Sequence, residues 1–290
     1  MTRRLFIGCP VWACDDWVGS LYPSKDRSTW LRRYSSVFNT VEGNSVFYGL
    51  PSIETARRWG EAVAPGFRFS LKFPRVISHD RRLANAESET ERFLEVLQTL
   101  DRFDCLGPSF LQLPPNFSGN QFGILETYLR SLPPHFPFAL EVRHADYFDG
   151  HATESRLDDL LRELNIDRCL FDSRPLFSSQ PSDEFETESQ RRKPRSPYRT
   201  TVTGKHPMLR FVGRNDVTKE VVPWIEEWAP IIAHWLDAGL EPFVFAHSPG
   251  DKFAPQFAAR LYNEIRRHAA DLPPLQQWEK PSTQTQKNLF

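Results

Sequence analysis

The chain has 290 residues, 40% hydrophobic and 25% charged, a composition that can bury a sizeable core and excludes disorder throughout. Its 36 Lys plus Arg stand against 37 Asp plus Glu, so no global field recruits a polyanion and extended nucleic-acid binding is not expected. No apolar run approaches the ~20 residues of a membrane span, and MTRRLFIGCP is too short in apolar residues for a signal-peptide core. A cytoplasmic protein without a membrane partner is therefore expected. Four cysteines, Cys9, Cys14, Cys105 and Cys169, form no CxxC pair and fit no common zinc spacing, which agrees with reduced thiols.

In chain order, the apolar run RLFIGC at 4–9 leads through Trp12, Asp15, Asp16 and Trp17 into a helix over 28–34. VFNTVEGNSV at 37–46 predicts a second strand, followed by Phe47, Tyr48 and a helix over 53–63. FRFSLKF at 67–73 is the third, with Arg75 and His79 behind it and a helix over 90–101. LGPSFLQL at 106–113 and PFALEVR at 137–143 flank a helix over 121–130, and His144 follows the second of them. A helix over 155–164 leads to DRCLFD at 167–172. PMLRFVG at 207–213, with Arg214 just beyond it, and PFVFAHS at 242–248 complete the strands, each followed by a helix, over 221–238 and 255–268.

Eight apolar runs alternating with helical stretches predict a TIM-like (β/α)8 barrel of parallel strands. Length alone allows two small domains or one large one; the repeated unit favours a single barrel domain over 1–272, with a flexible tail over 273–290. The segment 173–205 has prolines, an acidic patch, then a basic one, and no helical period. It predicts a long loop in place of the sixth helix, placed to act as a lid over the strand ends.

Alternate residues of a strand face opposite sides, so parity sorts the polar residues. In the third strand Phe67, Phe69, Leu71 and Phe73 oppose Arg68, Ser70 and Lys72; in the fifth, Phe138, Leu140 and Val142 oppose Ala139, Glu141 and Arg143. The same rule puts Glu42, Asn44, Gln112, Asp172, Arg210 and His247 on the inward face. Three carboxylates thus meet three cations at the end where parallel barrels bind ligands. The plainer account is a buried charge network that closes the barrel, but such networks often cost stability, which favours a ligand site.

The segments IGCPVWACDDWVGSLYP, FNTVEGNSVFYGLPSIETARRW, FRFSLKFPRVISHDRRL, LGPSFLQLPPNF, LEVRHADYF, LFDSRP and RFVGR, in this order, resemble the YecE-like family, domain of unknown function 72. The resemblance implies a TIM-like barrel with a deep polar pocket and no assigned activity. Its shared polar residues correspond here to Glu42, Asn44, Tyr48, Lys72, His79, Gln112, Glu141, Arg143, His144, Asp172 and Arg210. The family's seventh strand continues from its arginine into His-Gly, where this chain has Val212 and Gly213, and its eighth carries asparagines, where this chain has Ala246 and His247.

The pattern supports an enzyme acting on a small anionic ligand, phosphorylated or sugar-like, held by Arg143, Arg210 and Lys72. Glu141 and Glu42 are the acid/base candidates, with Lys72 and Asp172 beside them. Asn44, Gln112, His247 and His79 add polar contacts, and Trp12 and Tyr48 a flat wall. Imine chemistry at Lys72 is disfavoured, since a lysine beside carboxylates stays protonated. A metal-dependent phosphodiesterase- or isomerase-like enzyme would use Glu42, Glu141, Asp172 and His247, though three cations oppose a bare ion; no metal or cofactor is expected. A non-catalytic protein holding a metabolite or a nucleic-acid end fits the same residues. The oligomeric state is left open.

Overall fold

A computed structural model describes residues 3–215 and 221–278. Eight strands alternate with helices: β1 (Phe6–Gly8), β2 (Thr40–Gly43), β3 (Arg68–Leu71), β4 (Ser109–Gln112), β5 (Phe138–Glu141), β6 (Asp167–Asp172), β7 (Met208–Val212) and β8 (Phe243–His247). Each falls inside an expected apolar run. The pairing is parallel throughout, in a curled six-stranded sheet of order β1-β8-β7-β6-β5-β4 and a separate β2-β3 pair.

The two gaps between these sheets have local causes. At the β1–β2 edge, side chains replace the ladder: Ile7 N donates to Asn39 Oδ1 (2.8 Å), Asn39 Nδ2 donates to the Leu5 carbonyl (2.8 Å), and Cys9 N donates to the Tyr34 hydroxyl (2.7 Å). That hydroxyl donates in turn to the Thr40 carbonyl (3.0 Å). A Cβ on Gly8 would lie 1.9 Å from the same carbonyl, so only glycine permits the approach. At the β3–β4 edge Pro108 has no N–H to give, and its carbonyl accepts from Ser70 Oγ. Backbone bonds cross both gaps, from Glu42 N to Cys9 O (3.0 Å) and from Phe73 N to Phe110 O (3.0 Å).

Helices α1 (Trp30–Val37), α2 (Ser45–Tyr48), α3 (Ile53–Ala62), α4 (Glu87–Arg102), α5 (Phe122–Ser131) and α6 (Ala152–Leu164) precede β6. After it come α7 (Glu184–Arg192), α8 (Val222–Asp237) and α9 (Ala254–His268). Capping is legible locally: Ser52 accepts from Thr55 N at the start of α3, and α6 ends on Asn165 at φ 51°, a conformation asparagine tolerates. The stretch expected to extend the second strand to residue 46 turns into α2 after Gly43 and Asn44.

The segment 173–205 corrects the expectation of a helix-free loop. Asp183 caps α7 by accepting from Glu186 N (2.7 Å), and acidic residues in the first turn and Arg191 and Arg192 in the last match the helix dipole. Its missing apolar period reflects stabilisation by caps and charge. Residues 273–278, expected as the start of a flexible tail, lie against the core, where Tyr262 donates to the Pro273 carbonyl (2.7 Å) and Trp278 meets Phe38. Residues 279–290 fall outside the described residues. No helix among the described residues is long and apolar enough to cross a membrane.

The helices cover the main apolar cluster, which includes Ile7, Val41, Phe69 and Leu71 from the outward strand faces. A second cluster fills the interior: Phe6, Phe110, Ala139, Cys169, Met208, Phe243 and Phe245. Polar residues stand two positions further along the same strands, at Gln112 after Phe110, Glu141 after Ala139, Arg210 after Met208 and His247 after Phe245. An apolar floor therefore carries a polar layer at the C-terminal strand ends.

Candidate functional site

Arg210 of β7 is the centre of that layer. Its Nε and Nη2 donate to the two oxygens of Glu42 at 2.7 Å each, the parallel geometry that suits a guanidinium, and its Nη1 bonds Glu141. The rings of Phe110 and Phe171 lie 5.0 and 5.3 Å from the guanidinium carbon. Glu42 also accepts from Asn44 Nδ2 (2.6 Å), and His247 Nε2 is 3.1 Å away. Glu141 accepts from Gln112 Nε2 (2.6 Å) and Arg143 Nε (2.7 Å). Gln112 Oε1 accepts from Lys72 Nζ at 2.8 Å.

Lys72 differs from its neighbours. Its nitrogen lies 4.0 Å from the centroid of the Phe47 ring, and among the described residues no carboxylate stands within ion-pair distance of it. His79 packs edge-on to the same ring, with Nδ1 2.8 Å from Ser78 Oγ.

Burial acts to raise both glutamates, but the guanidiniums overcome it. Arg210 and His247 hold Glu42 well below the usual carboxylate range, and Arg210 and Arg143 hold Glu141 at about 2. Burial, with Arg210 beside it, pushes Lys72 down to about 7. Burial also brings His247 to about 4, so at neutral pH the imidazole is uncharged and its Nε2 carries the proton given to Glu42. His79 falls to about 4 through burial and the nearby Lys72 and Arg143.

Three expected members are elsewhere. Asp172 leaves the cluster: it accepts from Trp228 Nε1 of α8 (2.7 Å) and from Arg174, which also reaches Glu227. Cys169 and Phe171 are the inward residues of β6, and the Cys169 Sγ lies 3.9 Å from Glu141. Tyr48 is 83% exposed and offers no wall; Phe47 beside it does. Trp12 packs against Trp59 and Phe69 on the outward side of β3.

The loop candidates sort similarly. Asp15 pairs with Arg27 and Arg75 with Asp80, both at the surface, while buried Trp17 donates to the Asp251 carbonyl and His144 caps the turn at Asp146. Val212, where the resemblance expects histidine, is paired in register with His247 on the adjacent strand.

Sequence reasoning missed two groups. Burial lowers Lys193, at the end of α7, to about 8, and Arg210, Asp251, Glu42 and Arg143 all act on it. Burial raises Asp251 to about 6 against the pull of Lys193. The segment that delivers Lys193 is fixed at several points. Ser173 Oγ donates to Pro194 O (2.7 Å), Phe185 lies over Gly250, and buried Arg214 donates to buried Glu186 (2.7 Å). A lysine inside a polar run carries no period that would have flagged it.

Fold and site together define an α/β protein with parallel strands and a buried cluster of two carboxylates and three cations at their C-terminal ends. The chain belongs to the family described as Protein of unknown function DUF72, whose model matches residues 6–284. It is 31% identical to the UPF0759 protein YecE of Escherichia coli K12 over 286 residues, 99% of this chain and 100% of that one. A DUF72 family protein from Thermotoga maritima MSB8 superposes with a TM-score of 0.67 at 20% identity, over 92% of this chain and 99% of that chain. A DUF72 family protein from Enterococcus faecalis V583 gives 0.65 at 19% identity, over 93% of this chain and 99% of that chain.

Proposed function

We propose that this cluster binds a small organic anion and transfers protons on it, with Lys72 as the group that changes charge. The observation that carries the reading is the charge balance once Asp172 is withdrawn. Among the described residues Lys72, Arg143 and Arg210 face Glu42 and Glu141, and both carboxylates are already engaged by guanidinium groups. Lys72 is the cation left over. A bound carboxylate or phosphate supplies the missing charge.

Glu141 and Glu42 act in this reading as positioning groups, since a carboxyl held ionised and occupied is a poor acid or base near neutrality. Arg143, whose side chain is 16% exposed against 7% for Arg210, is the first cation an incoming anion meets. The charges of Arg210, Glu42 and Arg143 are felt at Lys193, which supports a covering role for 173–205. The metal-dependent alternative loses support because Asp172 is turned away and Arg210 takes both oxygens of Glu42.

The reading treats 1–272 as one TIM-like eight-stranded barrel, supported by the backbone bonds that cross both sheet gaps. Four free cysteines support a reducing compartment such as the cytoplasm. Sulfate, phosphate and short organic carboxylates and phosphates are expected to raise the melting temperature at pH 6.5, and Arg143→Ala to abolish the rise. A flat response to all of them overturns the proposal.

A further inference from the structure

We infer that Lys72 is a nucleophile that forms an imine with an anionic aldehyde or ketone held by Arg143. The inference rests on the anion-binding reading above and adds the substrate class and the bond that forms.

The geometry departs from what usually keeps a buried lysine inert. A structural lysine ends on a carboxylate; Lys72 ends on the neutral oxygen of Gln112 and the face of Phe47. The nearest negative group along the hydrogen-bond chain is Glu141, reached only through the Gln112 amide and already shared with Arg143 and Arg210. The two guanidiniums thus occupy the carboxylates that would otherwise serve the lysine as counter-ions. Such surroundings favour the free amine, the form with a lone pair to donate.

The same arrangement suits the partner. Lys72 pairs with Phe110 and Phe110 with Ala139, so Arg143 stands two strands across and four residues further along, roughly 16 Å between backbones. Side chains converging across that gap fit a molecule of a few carbons with its anionic group on arginine and its carbonyl toward Nζ. Phe47 gives the planar imine an apolar face, and burial keeps water from reversing it.

The step balances without an oxidant. The nitrogen lone pair attacks the carbonyl carbon and the C=O π pair moves to oxygen, which takes one of the amine hydrogens. The carbinolamine C–O bond then breaks as C=N forms, and the second amine hydrogen leaves with the oxygen as water. Wherever the lysine is protonated the attack stops, so the rate should follow the fraction of free amine.

Glyoxylate, a two-carbon anionic aldehyde, is the probe. With cyanoborohydride, which reduces an imine to a stable secondary amine, the intact protein should acquire one carboxymethyl group, mapped to Lys72 by peptide mass spectrometry. Labelling should run about 100-fold faster at Lys72 than at Lys25 at pH 7 and reach half its maximal rate near that pH. Arg143→Ala should slow it at least about tenfold, a loss of one arginine–carboxylate contact.

Lys72→Arg keeps the charge and should lose the label while sulfate still raises its melting temperature. Stabilisation of the wild type by sulfate and glyoxylate with no preferential label at Lys72 overturns the imine and leaves the anion site standing. Neither stabilisation nor label overturns both. An undiminished stoichiometric label in Lys72→Arg places the chemistry on another lysine and overturns the inference.

Discussion

Arg210 and Lys72 are both buried cations in one polar layer, and they differ in company. Arg210 has a carboxylate on either side and two aromatic rings at 5.0 and 5.3 Å, so its charge is fully answered. Lys72 has an amide oxygen and a ring face. The contrast teaches that burial alone does not make an ionisable group structural or reactive; the partner does. A paired ion stabilises the layer, whereas an unpaired one keeps a charge state near its tipping point.

The comparison breaks most visibly at Arg210. Arg210→Met should strand Glu42 and Glu141 without their shared partner, at a cost of about 3–5 kcal/mol in urea unfolding. The loss should shrink at low pH, where the stranded carboxyls protonate. A loss under about 1 kcal/mol at pH 7 would mean that Arg210 does not hold the layer together.

Lys72→Met tests the other side. The unfolded chain holds the lysine proton up to its ordinary 10.5 and the folded protein releases it near 7, so between those values the unfolded state binds more protons. Wild-type stability should therefore rise with pH across that window, by up to about 1.4 kcal/mol per unit, with the burial cost fully present below pH 7. The methionine variant should lack that slope and be the more stable protein at pH 6. Parallel pH–stability curves for the two would show that Lys72 keeps an unperturbed charge.

The smallest effect is expected in the covering segment. Glu186→Gln weakens the bond to Arg214 and should cost about 1–3 kcal/mol, with faster amide exchange over 184–192 than in β7 or β8. Unchanged exchange there would mean that the Asp183 cap and Phe185 suffice to hold α7.

Strands and most helices were legible because their alternation is strong: Arg68, Ser70 and Lys72 between phenylalanines and leucine admit one reading. DRCLFD does not, since each parity set holds both apolar and charged residues, and what turns Asp172 outward is Trp228, a partner more than fifty residues away that no local period announces. Tyr48 and Trp12 failed for a related reason, as residues outside the strands obey no such alternation. The three cations and two of the three carboxylates were readable from parity. The state of Lys72 was not, because it depends on which carboxylates other residues had already claimed.

The stitching of β1 by Tyr34 and Asn39 has a consequence for how the chain assembles. The ladder partner of β1 is β8, more than two hundred residues further along the chain, so until β8 is made β1 lacks that partner. A phenol and an amide from the very next unit, bonded to its backbone at Leu5, Ile7 and Cys9, offer it a local anchorage in the meantime. The earlier strand need not wait, exposed and unpaired, for the later one.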